Sequence, residues 1–162
     1  MKSFIKTLKI SYPFIKFEES ENYYWSPDKK IIFYKNNEDE NNQESKWAIL
    51  HELGHALLGH LNYGGDYSLL RKEAEAWEEA KKLANQFNIK IKENHIQDCL
   101  DTYRDWIYKR SICPKCSTKC LQKNDFTHYV CHNCHKQWKV TSSRFCRAYR
   151  ISKDQEKQKI FI

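Results

Sequence analysis

Two closely spaced cysteine pairs near the C-terminus place the tightest limit on how this chain can fold. Cys113 and Cys116 form one Cys-x-x-Cys pair, Cys131 and Cys134 form the other, and fourteen residues separate the pairs. Each pair puts two thiolates on one tight turn, and a short hairpin can bring two such turns together. The segment around them is poor in aliphatic residues, so a metal has to replace a hydrophobic core. We therefore predict a structural zinc, closed by four cysteines, in a zinc ribbon over residues 111–150.

The use of cysteine also indicates a compartment. The total of seven is odd, and four of the seven lie in the two pairs, so metal thiolates are favoured over disulfides. Cys120, four residues after Cys116, is the alternative fourth sulfur of the site. No apolar run approaches the roughly 20 residues needed to span a bilayer, and no signal peptide is recognised. We predict a cytoplasmic protein with no membrane partner.

A second metal-binding pattern lies on a predicted helix from about Glu44 to His60. His51 and His55 are four residues apart, so one helical turn points both imidazoles at a single centre, with Glu52 beside it. Two neutral imidazoles and a third protein ligand hold Zn²⁺ and leave its fourth position to water. The pattern predicts a catalytic zinc, with Glu52 as the general base of peptide-bond hydrolysis.

The third ligand is predicted on the next helix, over about residues 68–88. Glu73 lies on the apolar stripe of that helix, whereas Glu75 lies on a stripe of charged and polar residues. Glu73 is therefore the predicted ligand, and Glu75 is the alternative because a small rotation of the helix would exchange them. His60, five residues after His55, is predicted to be a hydrogen-bond partner or a helix-end cation and not a ligand.

The remaining patterns predict an α+β fold. Aromatic or branched residues alternate with polar ones through the first 35 residues, which is typical of a hairpin in a small sheet, with its turn at Ser26-Pro27-Asp28. A further helix is predicted over about residues 93–109. The prediction is a small N-terminal sheet packed with about three helices in a zincin-like domain over residues 1–110. The ribbon follows, and residues 151–162 form a tail.

The charge of the chain is unevenly placed. Residues 104–162 carry fourteen Lys and Arg against four Asp and Glu, a balance of +10, although the whole chain has a net charge of +7. Basic residues alternate there with aromatic ones, which suits contact with nucleic acid. The aromatic residues can equally form the core of the ribbon, and a protein partner is an equal alternative. The residues concerned are Lys119, Lys123, Lys136, Lys139, Arg144, Arg147 and Arg150, with Phe126, Tyr129, Trp138, Phe145 and Tyr149.

The stretch His-Glu-Leu-Gly-His-Ala-Leu-Leu-Gly-His from His51, followed by Glu73-Ala74-Glu75-Ala76, resembles the ImmA/IrrE-type metallopeptidases over about residues 14–88. The resemblance implies a protein substrate, often a transcriptional repressor, and assigns the zinc glutamate of the family's Glu-x-x-Ala pattern to Glu73. Trp77 stands where this family commonly has Asn or Asp. The order of a zincin followed by a ribbon is also similar, more weakly, to that of SprT-like proteases.

These patterns together predict a zinc-dependent metallo-endopeptidase with one catalytic and one structural zinc. Its substrate would be a protein or peptide, such as a regulator or a DNA-associated protein. The alternative is a non-catalytic module with a zincin fold, which binds nucleic acid or protein through the basic ribbon.

Overall fold

The computed structural model describes residues 1–35, 42–61 and 64–140, together with the backbone of 150–152. The chain divides into two compact units, of which the first contains Met1–Asn62 and Arg71–Gln97. The second contains Tyr63–Leu70 and the residues from Asp98 onward. The predicted α+β class, with helices and small sheets, is confirmed. The predicted domain boundary at residue 110 stays a prediction.

Four helices are present in the described part of the chain. They are α1 Lys2–Ser11, α2 Gln43–Leu57, α3 Asp66–Gln86 and α4 Glu93–Ser111. The last three match the predicted helices to within a few residues at each end. None of these helices has the length and apolar character needed to cross a membrane.

Helix α1 was not predicted, because the alternating pattern of the first residues indicated strand. Ile5 and Leu8 are buried, whereas the lysines between and beside them are exposed. Two apolar residues three apart share one face of a helix, so burial of that face favours helix over strand. The alternation of apolar and polar residues therefore indicates strand only from about residue 14 onward.

The first unit contains a three-stranded sheet with the strands β1 Lys16–Glu19, β2 Tyr24–Ser26 and β3 Ile31–Tyr34. Strands β2 and β3 are antiparallel and form the predicted hairpin. Strand β1 pairs with β3 in parallel, with Phe17 opposite Ile32, so β3 is central and β2 lies at an edge. Both of these side chains are buried in the core of the unit.

Helix α2 begins and ends at identifiable signals. The Asn42 side chain accepts a hydrogen bond from the Ser45 amide at 3.0 Å, which caps the first turn. The helix ends at Leu57, three residues before the predicted end, and Gly59 follows with φ of +63°, a conformation that suits glycine. Between these ends Ile49, Leu50 and Leu53 have no measurable exposure, so α2 lies in the core of the unit.

Gly54 lets α2 and α3 approach closely. A Cβ atom at this position would lie 2.6 Å from the carbonyl oxygen of Ala76, which is backbone and cannot turn aside. We expect Gly54→Ala to lower the free energy of unfolding by about 1–3 kcal/mol, because α3 has to move away. Denaturant titration measures this change, and Lys46→Ala in the same helix is the control. An unchanged midpoint for Gly54→Ala would show that the two backbones are not held this closely.

The second unit contains a three-stranded antiparallel sheet in the order β4 His128–Val130, β5 Gln137–Val140 and β6 Arg150–Ser152. Tyr129 and Trp138 stack in parallel with ring centroids 5.4 Å apart, and both are almost fully buried. These two aromatic residues lie in a buried cluster with Val140 and three of the cysteines, whereas Phe126 is about half exposed. The side chains of Arg144, Phe145, Arg147, Tyr149 and Arg150 lie outside the described residues, and so do residues 153–162 of the predicted tail, whose first two residues belong to β6.

A buried ion pair ties α3, α4 and β4 together within the second unit. Asp66 lies 3.2 Å from Nε of Arg110, and both side chains are buried. The Tyr129 hydroxyl donates a hydrogen bond to the same carboxylate. The indole Nε1 of Trp138 donates to the carbonyl of Arg110 at 3.0 Å. The start of α3 and the end of α4 are thereby joined to the cysteine-rich sheet.

Candidate metal centres

The predicted metal helix brings three ligand atoms to one point in the first unit. Nε2 of His51 lies 3.2 Å from Nε2 of His55 and 3.2 Å from a carboxylate oxygen of Glu73. The same oxygen lies 3.6 Å from Nε2 of His55. His51 and Glu73 are buried, and His55 is partly so. One turn of α2 and one residue of α3 therefore supply a converging set of two nitrogens and one oxygen.

The spacing of these atoms fits a tetrahedral metal ion. Ligand atoms about 2.0–2.1 Å from a common Zn²⁺ lie about 3.3 Å from one another at the tetrahedral angle. The three distances in this group, 3.2, 3.2 and 3.6 Å, lie close to that value. Two imidazoles and one carboxylate are also a donor set that zinc hydrolases use, with one position left open. The residues present therefore fit a catalytic zinc.

Glu73 and Glu75 occupy different environments. Burial raises the pKa of Glu73, but hydrogen bonds with His51 and His55 outweigh it and hold the pKa well below its usual range. Glu75 is exposed and lies 3.4 Å from Nε2 of His60 and 3.6 Å from Nε of Arg71. The structure thus places Glu73 with His51 and His55, and Glu75 beside His60 and outside the ligand group. The role of Glu73 as a metal ligand stays a prediction.

Glu52 is held by the sheet. The backbone amide of Trp25, in edge strand β2, donates a hydrogen bond of 2.8 Å to one oxygen of the Glu52 carboxylate. The other carboxylate oxygen of Glu52 takes no part in this hydrogen bond. Sequence reasoning named Glu52 but missed Trp25, because a backbone donor 27 residues away leaves no trace in residue types.

His51 is oriented by stacking. Its ring lies against that of Trp77, with centroids 4.2 Å apart and planes inclined by 26°. Its Nδ1 is buried and has no hydrogen-bond partner among the described residues. Trp77 stands where the resemblance predicts Asn or Asp, and its contact with His51 in this chain is an aromatic stack. Trp77 is itself buried and touches His95, so its ring is fixed from both sides.

His60 lies behind His55. Its Nδ1 is 2.9 Å from Nδ1 of His55, which is the ring nitrogen on the far side from the ligand group. Burial and the neighbouring His55 lower the pKa of His60, although Glu75 opposes that effect. The predicted role of a hydrogen-bond partner fits these contacts. The contacts of its Nδ1 and Nε2 direct the ring toward His55 and Glu75 and away from the ligand group.

A comparison with protein families gives a match over most of the chain. The model of the Peptidase_M78 family, described as the IrrE N-terminal-like domain, matches residues 8–112, which is more than half of the chain. This chain belongs to that family. The resemblance to ImmA/IrrE-type peptidases is thereby confirmed. No curated protein and no solved structure shows significant similarity to the chain.

The match to the IrrE N-terminal-like family model ends at residue 112, immediately before the first of the paired cysteines. Sγ of Cys116 lies 3.4 Å from that of Cys131 and 3.4 Å from that of Cys134, and Sγ of Cys113 lies 3.5 Å from that of Cys134. Sulfurs about 2.3 Å from a common Zn²⁺ lie about 3.8 Å apart, so the group is slightly contracted. These separations are too long for disulfides. The four cysteines form a second group that fits zinc.

Close contacts among the paired thiols shift their pKa values in opposite directions, and hydrogen bonds with the neighbouring sulfurs raise the pKa of Cys134. Hydrogen bonds from Thr118 lower the pKa of Cys116 to about 5, so its sulfur is a thiolate at neutral pH. Cys120 lies outside the four-sulfur group, and burial raises its pKa to about 11. The sulfurs of the four paired cysteines converge and that of Cys120 is not among them, so the geometry favours the four paired cysteines. His132 and His135 are exposed.

Proposed function

We propose that this member of the IrrE N-terminal-like family is a zinc-dependent metallo-endopeptidase that acts on a protein substrate. His51, His55 and Glu73 are the proposed zinc ligands, and Glu52 is the proposed catalytic base. The observation that carries the proposal is the convergence of the three ligand atoms at tetrahedral spacing. Family membership supports the peptidase class.

The proposed reaction assigns a separate task to each residue. Zn²⁺, when bound, polarises the substrate carbonyl and makes a water molecule more acidic. The free oxygen of Glu52 accepts a proton from the attacking water and later delivers it to the departing amine. The Trp25 amide fixes the other oxygen of Glu52, so the carboxylate meets the substrate in one orientation. The buried carboxylate of Glu73 stays ionised and offsets the charge of the metal.

The second unit is proposed to hold a structural zinc and to contact a partner. Lys115, Lys119, Lys123 and Lys139 are exposed, and the half-exposed Phe126 lies among them in the sequence. These features support the second candidate function, a module that binds nucleic acid or a protein carrying acidic groups. Four closely spaced thiols persist in a reducing compartment, which supports a cytoplasmic location.

Removal of the metal tests the proposed activity. We expect a strong chelator to reduce cleavage of a quenched fluorescent peptide library to background, and stoichiometric Zn²⁺ to restore it, because the ligand group has no other means of polarising a carbonyl. His51→Ala is expected to stay inactive after zinc is added. His132→Ala, at an exposed histidine, is the matched control and keeps its activity. Cleavage that persists in the chelated protein would exclude a metallopeptidase.

A further inference from the structure

We propose that His60 and Glu75 form a relay that positions the ligand His55, with Glu75 anchoring His60 and His60 anchoring His55. The inference rests on the proposed zinc site and extends it, since it gives both residues a role in holding the metal. Neither residue contacts the reacting groups, so both are positioning residues.

Contacts within the first unit connect His55, His60 and Glu75 in series. Nδ1 of His60 lies 2.9 Å from Nδ1 of His55, and Nε2 of His60 lies 3.4 Å from a carboxylate oxygen of Glu75. The other oxygen of Glu75 lies 3.6 Å from Nε of Arg71, one turn earlier in α3. Only Nε2 of His55 faces Glu73, so the relay meets His55 at the nitrogen that the metal does not use.

A bound metal ion would determine which ring nitrogen of His55, and then of His60, carries a proton. When Nε2 of His55 donates its lone pair to a metal ion, its Nδ1 carries the proton and donates it to a hydrogen bond. Nδ1 of His60 must then be the acceptor, so its Nε2 carries the proton and donates toward Glu75. A carboxylate is an acceptor only, which makes Glu75 a suitable end for the line.

The backbone holds His60 where the relay requires it. Helix α2 ends at Leu57, and the left-handed Gly59 turns the chain back over the last turn of the helix. The amide of His60 donates to the carbonyl of His55 at 3.0 Å, and the indole of Trp25 donates to the carbonyl of His60 at 3.2 Å. The His60 side chain is only 9% exposed. Its ring is therefore confined on several sides.

A purely structural role of His60 makes a different prediction. If His60 only filled space at the end of α2, an aromatic ring of similar size would replace it without affecting the metal. If the relay exists, loss of the acceptor nitrogen leaves the partly buried Nδ1 of His55 without this partner and frees its ring to rotate. Partners of this kind typically change metal affinity by about 10–100-fold.

The test measures zinc affinity by competition with a chelator in the full chain carrying Glu52→Gln, so that it does not depend on turnover. We expect His60→Phe to weaken the site of the two histidines by about 10–100-fold. Glu75→Ala is expected to weaken it less, and Glu75→Gln least, because an amide oxygen still accepts from His60. Glu78→Ala, at an exposed glutamate of the same helix, is the control.

A second readout reports the protons themselves. Nitrogen NMR of the zinc-loaded protein is expected to show His55 protonated at Nδ1 and His60 at Nε2, with the His60 assignment lost or mixed in Glu75→Ala. Wild-type zinc affinity in both His60→Phe and Glu75→Ala would overturn the relay, as would a His60 ring protonated at Nδ1. A chain that binds zinc with these tautomers but cleaves no peptide would overturn the proposed peptidase and leave the relay intact.

Discussion

Replacement of Glu52 by glutamine is expected to slow peptide cleavage by about 10²–10⁴-fold, the usual contribution of a general base. The amide oxygen of glutamine can still accept the hydrogen bond that the Trp25 backbone donates, so the side chain keeps its place. It cannot accept a proton from water, because a neutral amide is a very weak base. Zinc content and the midpoint of unfolding are expected to stay at wild-type values.

The comparison of kinetic constants makes this result specific. A lost base lowers kcat and leaves substrate binding nearly unchanged, whereas a disturbed site raises KM as well. Glu44→Gln, at an exposed glutamate in the first turn of the same helix, controls for the loss of one charge. Wild-type cleavage by Glu52→Gln would remove Glu52 from the mechanism. The alternative function, a module that only binds a partner, predicts binding that Glu52→Gln leaves unaltered and no cleavage by any variant.

Much of the candidate metal centre could be predicted because helix geometry carries the information. A spacing of four residues puts His51 and His55 on one face whatever the rest of the fold does, and an apolar stripe shows which face of α3 points inward. The stripe placed Glu73 toward the histidines and Glu75 away from them, as the structure does. Local periodicity was therefore sufficient to predict which way these side chains face.

The supporting contacts could not be predicted, because they join residues through the fold and not through a repeating pattern. Trp25 reaches Glu52 with a backbone amide, and amides are common to every residue except proline. His60 returns to His55 only because α2 stops at Leu57 and Gly59 reverses the chain, whereas the sequence predicted helix as far as His60. His60 was predicted to be a hydrogen-bond partner or a helix-end cation, but the error of three residues in the helix end hid that its partner is His55.

The basic, cysteine-rich segment illustrates a second limit of sequence reasoning. Aromatic residues among lysines suit both base stacking and a small core, and only burial separates the two uses. Tyr129 and Trp138 are buried against the cysteine group, so they stabilise the fold and cannot stack on bases. Phe126 is half exposed. A chain segment with little aliphatic material has to use its aromatic residues in this way.

Loss of the first cysteine pair is expected to unfold the second unit and to remove one zinc per chain. The double variant Cys113→Ser and Cys116→Ser replaces two sulfurs with hydroxyl groups that bind zinc poorly. Structural zinc sites contribute about 10–16 kcal/mol in small domains at neutral pH, far more than the aromatic pair here can supply alone. Elemental analysis is expected to give two zincs per wild-type chain and one in this variant. Hydrogen exchange over residues 112–140 should show the loss of protection.

The matched histidine variant makes the same measurement decisive for the first unit. His51→Ala with His55→Ala is expected to lose the other zinc while hydrogen exchange over residues 112–140 stays slow, because the two ligand groups share no residue. Cys99→Ser, at a cysteine of α4 outside both groups, should keep both metals. If the wild type instead held a single zinc that survived the histidine changes, only the cysteine group would bind metal. The proposed peptidase would then be wrong, and the basic second unit would be left as the source of function.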